Sequence, residues 1–292
     1  MSDAAGRVTP LRFAVIGSPV AHSRSPAMHG AAFAALGLPH TYEKLETSAE
    51  ELGERVAALR SGAFAGLNVT VPHKTRVLAM VDEVDASARA TGAANTLVRG
   101  ADGSVCAFNT DAPALRAELA RLAGGVERFR ARTALVLGTG GAARAAIFAL
   151  GQLDVGRVVV RGRRRDAFEP LPGVLAASGA TRAAIAFEPI DAPPSDPSDY
   201  VAVVQATTAG MDGASAPGDV VADVVAWEEV PLDCVVYDVV YTPPRTPLLE
   251  RARARGLACD GGLGMLVRQG ALAFELWLGV EPPLDVMRGA LD

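Results

Sequence analysis

The chain has few of the features that mark several common classes of protein. Its 292 residues include only three cysteines, Cys106, Cys234 and Cys259. No two of them stand in a C-x-x-C pair, so we expect neither a disulfide framework nor a cysteine-based zinc site. The four histidines form no cluster in the sequence, and no metal is predicted.

Basic charge and long apolar runs are scarce as well. The formal net charge is -5, which provides no basic face for nucleic acid and no attraction to an acidic membrane surface. No apolar run is long enough to span a bilayer, and residues 1–10 lack the apolar core of a secretion signal. We therefore expect a cytoplasmic protein, monomeric or homodimeric, whose partner is a small-molecule substrate.

The chain is long enough for two domains, and half of its residues (50%) are hydrophobic, so a large core can be buried. Apolar and alternating segments predict strands at residues 12–16, 40–46, 66–71, 133–137, 157–160, 200–205 and 234–240. Periodicity and capping residues predict helices at 25–36, 49–60, from 72 onward, and at 113–122, 142–150 and 265–278. Strands alternate with helices in two successive series, so we expect an α/β fold with a mostly parallel sheet and a domain joint near residues 111–122.

A glycine-rich turn follows the predicted strand at 133–137. It reads Gly138, Thr139, Gly140, Gly141, Ala142, and it opens the predicted helix as a Gly-x-Gly-x-x-Ala pattern. The first glycine permits a tight turn, the second lets the backbone approach a pyrophosphate, and the small third position lets the helix pack on the strand. Strand, turn and helix together indicate a Rossmann dinucleotide site. The alternative interpretation is an ordinary connection between strand and helix, rich in alanine and glycine only because the composition of the chain is biased.

The next predicted strand ends in arginines where an NAD site usually carries a carboxylate. Arg161, Arg163 and Arg164 follow Val160. Planar guanidinium groups suit the 2′-phosphate of NADP, because they bind phosphate oxygens in pairs. The pattern therefore favours NADP, with NAD still possible. A solvated basic loop is the alternative reading.

Small polar residues crowd the ends of the N-terminal strands, where ligands bind in open α/β sheets, although such residues also cap helices and turns. With the glycine turn and two C-terminal segments they form seven ordered motifs over nearly the whole chain. These are HSRSPAMH (22–29), NVTVPHK (68–74), GAANT (92–96), FNTD (108–111), GTGGAARA (138–145), YTPPRTPLL (241–249) and GMLVRQGALAFELW (264–277). Together the motifs resemble the shikimate dehydrogenase family, whose members use NADP, or sometimes NAD, to interconvert 3-dehydroshikimate and shikimate.

The resemblance implies a role for each matching residue. It places a catalytic lysine at Lys74 and its partner carboxylate at Asp111. This suits ketone reduction, because the developing alkoxide needs a proton donor and a nearby positive charge. The substrate carboxylate and ring hydroxyls are expected to contact Ser23, Ser25, Asn68, Thr70, Asn95, Tyr241 and Gln269. The nicotinamide is expected to lie near Val239, Gly262 and Met265.

The resemblance also implies how the domains are composed. Residues 1–112, joined by the C-terminal helix at about 264–292, are expected to form the substrate domain, and residues 113–263 the Rossmann-type NADP-binding domain. Some positions depart from the family pattern: Gly30, Arg24, Arg161-Gly162-Arg163 and Gln205-Ala206-Thr207. A quinate or aminoshikimate dehydrogenase using NAD therefore stays open, as does a non-catalytic dinucleotide sensor, against which the Lys74 and Asp111 pair counts.

Overall fold

A computed structural model describes residues 9–177, 179, 182–193 and 196–292. In chain order its elements begin with β1 (Arg12–Gly17), α1 (Ser25–Ala35), β2 (Thr41–Glu46), α2 (Leu52–Arg60), β3 (Gly66–Val69), β4 (Glu83–Val84), α3 (Ala86–Thr91), β5 (Thr96–Arg99) and β6 (Val105–Phe108). They continue with α4 (Asp111–Ala123), β7 (Thr133–Leu137), α5 (Gly141–Gly151), β8 (Arg157–Gly162), α6 (Arg165–Phe168), α7 (Leu171–Ala177), β9 (Ala184–Pro189), β10 (Tyr200–Gln205), α8 (Asp219–Ala222), β11 (Val235–Asp238), α9 (Pro247–Ala254), β12 (Ala258–Gly261), α10 (Leu263–Leu278) and α11 (Leu284–Gly289).

The chain forms two compact units. The first unit consists of residues 9–88, Ala93–Thr110 and Leu266–Asp292, and the second of Arg89–Gly92 and Asp111–Met265, without the residues that the structure does not describe. In the part of the chain that is described, no helix combines the length and the apolar character needed to cross a membrane.

The sheet of the first unit has six strands in the order β2-β1-β3-β5-β6-β4. β1 pairs in parallel with β2 and β3, and β4 pairs in parallel with β6, whereas β5 runs antiparallel to both of its neighbours. The chain moves from β1 to one side for β2 and to the other side for β3. This reversal leaves a crevice outside the carboxyl ends of β1 and β3, where open α/β sheets bind ligands.

The second unit has a fully parallel sheet in the order β12-β11-β10-β7-β8-β9. Alternate residues of β7 serve two cores: Ala134 and Val136 lie in one buried cluster, and Leu135 and Leu137 in another. Burial on both faces is what a parallel sheet requires. The strand order reverses between β7 and β10, so the residues that follow β7 lie at a switch point. The predicted α/β class with mostly parallel sheets is confirmed.

Most of the predicted elements form, with one clear error. The helix expected from residue 72 onward is wrong, because the Thr70 carbonyl accepts a 2.9 Å hydrogen bond from the His73 N–H and closes a turn. A single 3-10 helix, Arg76–Ala79, follows. The His73 ring is buried against the Thr47 carbonyl at 2.7 Å, and this tertiary contact favours the turn over a regular helix.

Candidate functional site

The ends of β1 and β3 run side by side at the switch point of the first unit. The Ser18 N–H donates to the Val71 carbonyl at 2.8 Å, and the Thr70 N–H donates to the Ile16 carbonyl at 2.9 Å. A Cβ added to Gly17 would lie 2.3 Å from Thr70 Cγ2, so only glycine fits where the two strands end. The segments that carry the predicted substrate residues therefore leave the sheet from adjacent points.

Three predicted residues follow these strand ends. The Ser25 N–H donates to Ser23 Oγ at 3.3 Å; Ser25 is buried and Ser23 is half-buried. Lys74 is half-buried, and its carbonyl accepts a 2.7 Å hydrogen bond from the Ala94 N–H. The backbone of Lys74 is thereby attached to the GAANT segment, which fixes where its side chain begins.

Three predicted amide side chains converge in the first unit. Asn95 Nδ2 donates to Gln269 Oε1 at 3.1 Å, although 174 positions separate the two residues. Asn68 Nδ2 donates to the Asn95 carbonyl at 3.1 Å. All three residues are buried, at 2% to 8% exposure. The structure thus joins Asn68, Asn95 and Gln269 in one hydrogen-bonded group.

Sequence reasoning did not single out three further members of this group. Thr96 Oγ1 accepts from Asn68 Nδ2 at 3.2 Å, and Thr110 Oγ1 accepts from Asn95 Nδ2 at 2.8 Å. The hydroxyl of Tyr42 donates to Asn68 Oδ1 at 2.7 Å. The two threonines stand inside the GAANT and FNTD motifs, so a signal for them existed. Tyr42 lies outside every motif, and no local pattern marks it.

The glycine turn of the second unit has the conformation that its sequence predicts. Gly138 has φ of 120°, and a Cβ on it would lie 2.9 Å from Thr207 Cγ2 and 3.0 Å from the Ala206 carbonyl oxygen. A Cβ on Gly140 would meet nothing within 4 Å. α5 begins at Gly141, and the first N–H groups of a helix have no intrahelical acceptor. The turn can therefore admit a phosphate group over Gly140 and offer it donors.

The arginines after β8 have different surroundings. Arg161 is 1% exposed, and its guanidinium donates to the carbonyls of Val224 (2.8 Å), Ile190 (3.4 Å) and Ala192. Both terminal nitrogens of its guanidinium are therefore engaged by the protein's own backbone, contrary to the phosphate contact expected for Arg161. Arg163 and Arg164 are exposed, and Arg164 pairs with the exposed Asp166 at 2.8 Å.

Of the predicted nicotinamide-side residues, Val239 and Gly262 contact each other, and Met265 is hydrogen-bonded to a residue of β11. A Cβ on Gly262 would lie 2.1 Å from the Val239 carbonyl oxygen, so the two backbones touch. The Met265 N–H donates to the Tyr237 hydroxyl at 3.1 Å, and Met265 is buried. Burial raises the pKa of Tyr237, so its hydroxyl stays protonated. Tyr241 is half-buried beyond β11.

The two predicted catalytic residues fall in different units. Lys74 belongs to the first unit, whereas Asp111 belongs to the second and is the first residue of α4. Asp111 is 4% exposed. Among the described residues, no three or more histidine, cysteine or acidic side chains are grouped so that they could hold a metal ion.

Two family models match the chain. The model described as shikimate dehydrogenase substrate binding domain matches residues 15–97, and the one described as Shikimate 5'-dehydrogenase C-terminal domain matches residues 262–291. A curated protein of Symbiobacterium thermophilum named shikimate dehydrogenase (NADP(+)) is 42% identical over 280 residues, which cover 94% of this chain and 92% of that protein.

Solved structures resemble the whole fold. A shikimate dehydrogenase crystallised in complex with NADP+ has a TM-score of 0.84 and 32% identity, with 100% of this chain and 96% of that one covered. The Thermus thermophilus Shikimate 5-Dehydrogenase in complex with NADP(H) and shikimate has a TM-score of 0.76 and 36% identity, with 96% and 98% covered.

Proposed function

The chain belongs to the shikimate dehydrogenase family, and from that premise we propose that it is an NADP-dependent shikimate dehydrogenase. It would reduce 3-dehydroshikimate to shikimate, reversibly, in aromatic amino-acid biosynthesis. The observation that carries the proposal is that Ser23 and Ser25 follow β1, Thr70 and Lys74 follow β3, and the glycine turn follows β7, at the switch points of the two sheets. The family predicted from the motifs is confirmed. A cytoplasmic location and a monomeric or homodimeric state are part of the proposal.

The residues of the second unit fit a dinucleotide. Gly138 makes the turn, Gly140 leaves open space above its Cα, and the N-terminus of α5 offers donors for a pyrophosphate. We therefore assign the cofactor to Gly138, Thr139, Gly140, Gly141 and Ala142, within a cofactor domain of residues 113–263. When bound, the reduced nicotinamide supplies the hydride that converts the ketone to the alcohol.

The end of β8 favours NADP over NAD. NAD sites usually place a carboxylate at this strand end to bind the ribose hydroxyls. Here the strand ends at Gly162, where a Cβ would lie 2.8 Å from Thr139 Cγ2, so a side chain would collide with the glycine turn. We assign the 2′-phosphate to the exposed Arg163 and Arg164. The solvent-screened pair of Arg164 with Asp166 is weak enough to exchange for a phosphate.

On the substrate side, we assign proton transfer to Lys74. Its ammonium would stabilise the developing alkoxide and donate the proton that completes the alcohol. Asp111 would orient that ammonium and a substrate hydroxyl. The remaining polar contacts are assigned to Ser23, Ser25, Asn68, Thr70, Asn95, Tyr241 and Gln269. Val239, Gly262 and Met265 would face the nicotinamide, and residues 1–112 with 264–292 would form the substrate domain.

One assay panel tests the proposal. The purified protein is mixed with shikimate or quinate, each with NADP+ or NAD+, and the absorbance of the reduced nicotinamide is followed. We expect the highest kcat/KM for shikimate with NADP+. Turnover of quinate alone would replace the proposed substrate, and a higher kcat/KM with NAD+ would replace the proposed cofactor. No turnover in folded protein that still binds NADP+ would favour a dinucleotide sensor.

A further inference from the structure

The orientation of the Asn68 amide is determined by its neighbours in the first unit. Its nitrogen lies 3.1 Å from the Asn95 carbonyl oxygen, which can only accept a hydrogen bond. The second N–H reaches Thr96 Oγ1 at 3.2 Å. Its oxygen must then face Tyr42, whose hydroxyl donates to it at 2.7 Å. The amide cannot be reversed without placing two acceptors against each other.

These three hydrogen bonds leave the Asn68 side chain able to accept one further hydrogen bond and to donate none. An amide group has two N–H donors and two lone pairs on its oxygen. Both donors are engaged by Asn95 and Thr96, and one lone pair is engaged by Tyr42. The remaining capacity is a single acceptor, which suits a hydroxyl donor and repels a carboxylate.

Tyr42 is itself held in place by a buried histidine. The ring of Tyr42, on β2, stacks on the ring of His29, on α1, with centroids 4.4 Å apart and planes 10° apart. On α10, Phe274 lies parallel to His29 at 6.2 Å. His29 is 0% exposed, and within the described part of the chain neither of its ring nitrogens has a hydrogen-bond partner. Burial lowers the pKa of His29 to about 3, so it packs as a neutral flat ring.

We propose that Tyr42, supported by the stacked ring of His29, is a positioning residue: the Asn95 carbonyl sets which way the Asn68 amide faces, and the Tyr42 hydroxyl holds the Asn68 oxygen in place, so that its remaining lone pair selects a substrate hydroxyl at that point. The inference rests on the proposed function, because the contact between Asn68 and the substrate belongs to that proposal. Tyr42 acts through Asn68 and takes no part in proton transfer. Its loss should therefore affect substrate recognition more than the chemical step.

The test is a double-mutant cycle on shikimate oxidation with NADP+. In Tyr42→Phe the Asn68 oxygen loses its support and its hydrogen bond to the substrate weakens, so we expect KM for shikimate to rise about five-fold, roughly the worth of one hydrogen bond, with kcat and the Kd of NADP+ nearly unchanged. In an Asn68→Ala background the same change should alter KM less than about two-fold, because the acceptor is already gone. An equal rise in both backgrounds, or a fall in kcat at constant KM, overturns the inference.

Two further variants separate positioning from general damage. Tyr200→Phe removes the hydroxyl of another buried tyrosine, in the second unit, and should leave KM unchanged. His29→Phe keeps a flat ring against Tyr42 and should retain KM within about two-fold, whereas His29→Ala should raise KM as Tyr42→Phe does. A KM rise in Tyr200→Phe equal to that in Tyr42→Phe would contradict the inference.

The wild-type protein distinguishes the two proposals. If the wild type turns over none of the substrate and cofactor pairs, the proposed function fails before any variant is compared. If the wild type is active and Tyr42→Phe has wild-type KM, the positioning role alone fails. If another polyhydroxylated acid is the better substrate, the cycle is run with that acid and the same outcomes apply.

Discussion

The hydroxyl of Thr246 donates a 2.6 Å hydrogen bond to Oδ2 of Asp238, a carboxylate that is 1% exposed at the end of β11. The other oxygen of Asp238 accepts from the Val240 N–H at 2.9 Å. Thr246 also caps α9 by accepting from the Leu249 N–H at 3.4 Å. One buried carboxylate thus holds both ends of the segment 239–246, which carries Val239 and Tyr241.

We expect Asp238 to make the free energy of unfolding depend on pH. Burial raises its pKa to about 6, above the ordinary value, so folding favours the protonated form. The contribution of the protonated Asp238 to the free energy of unfolding is therefore fully present below about pH 4 and is lost as the pH rises through 6. Over that range the free energy of unfolding should fall by up to roughly 1.4 kcal/mol per pH unit. We expect Asp238→Asn, which stays neutral, to gain stability relative to wild type between pH 4 and 6. Urea unfolding at several pH values measures this.

A surface substitution is the control for the Asp238 experiment. Asp285→Asn removes one negative charge from an exposed position on α11. Its unfolding free energy should run parallel to that of the wild type over the same pH range. If the Asp238→Asn curve is also parallel to the wild-type curve, Asp238 does not titrate as its burial implies.

The sequence predicts local features of this protein well and distant contacts poorly. β7, the glycine turn and α5 are contiguous, so one stretch of sequence contains every residue that defines them. No strand is predicted at β5 or β6, because neither four-residue strand lies within a longer apolar or alternating segment, as the equally short β3 and β11 do. Strands that short form because neighbouring strands pair with them, which no local pattern reveals.

The candidate site follows the same rule. Motifs identified Asn95 and Gln269 separately, but their contact spans 174 positions and depends on the fold. Arg161 looks like its basic neighbours in the sequence, yet its burial comes from residues up to 63 positions away, including Val224. Tyr42 belongs to no motif, and only the folded chain brings it to Asn68.

Two glycines of the same turn should respond differently to alanine. In Gly138→Ala the side chain meets the Ala206 backbone and requires φ of 120°, so we expect a loss of about 1–3 kcal/mol in stability. In Gly140→Ala the Cβ meets no protein atom, and stability should change by less than about 1 kcal/mol. The Kd of NADP+ should nevertheless rise at least ~10-fold in Gly140→Ala, because the methyl group occupies the space assigned to the pyrophosphate. Thermal unfolding and titration calorimetry separate the two effects, and unchanged NADP+ binding in Gly140→Ala would contradict the assignment.

The arginines after β8 should divide into a structural and a cofactor-binding class. The double variant Arg163→Ala with Arg164→Ala should raise the Kd of NADP+ by at least ~10-fold and leave that of NAD+ nearly unchanged, because only NADP+ carries the 2′-phosphate. Arg161→Met should instead lower the Tm, since it leaves the carbonyls of Val224 and Ala192 without a donor. Equal losses for NADP+ and NAD+ in the double variant would place the 2′-phosphate elsewhere.

The chain has two lysines, which provides a matched control for the proposed proton donor. Lys74→Met keeps the length of the side chain and removes its ammonium, so kcat should fall by at least ~100-fold while the Kd of shikimate rises only modestly. Lys44→Met removes the other ammonium, which donates to the Ala21 carbonyl from an exposed position on β2, and kcat should stay near the wild-type value. Single-turnover rates with saturating NADP+ measure the chemical step for both variants. A Lys74→Met protein that binds shikimate and turns over within about ten-fold of wild type would remove Lys74 from the reaction, because a general acid contributes more than that.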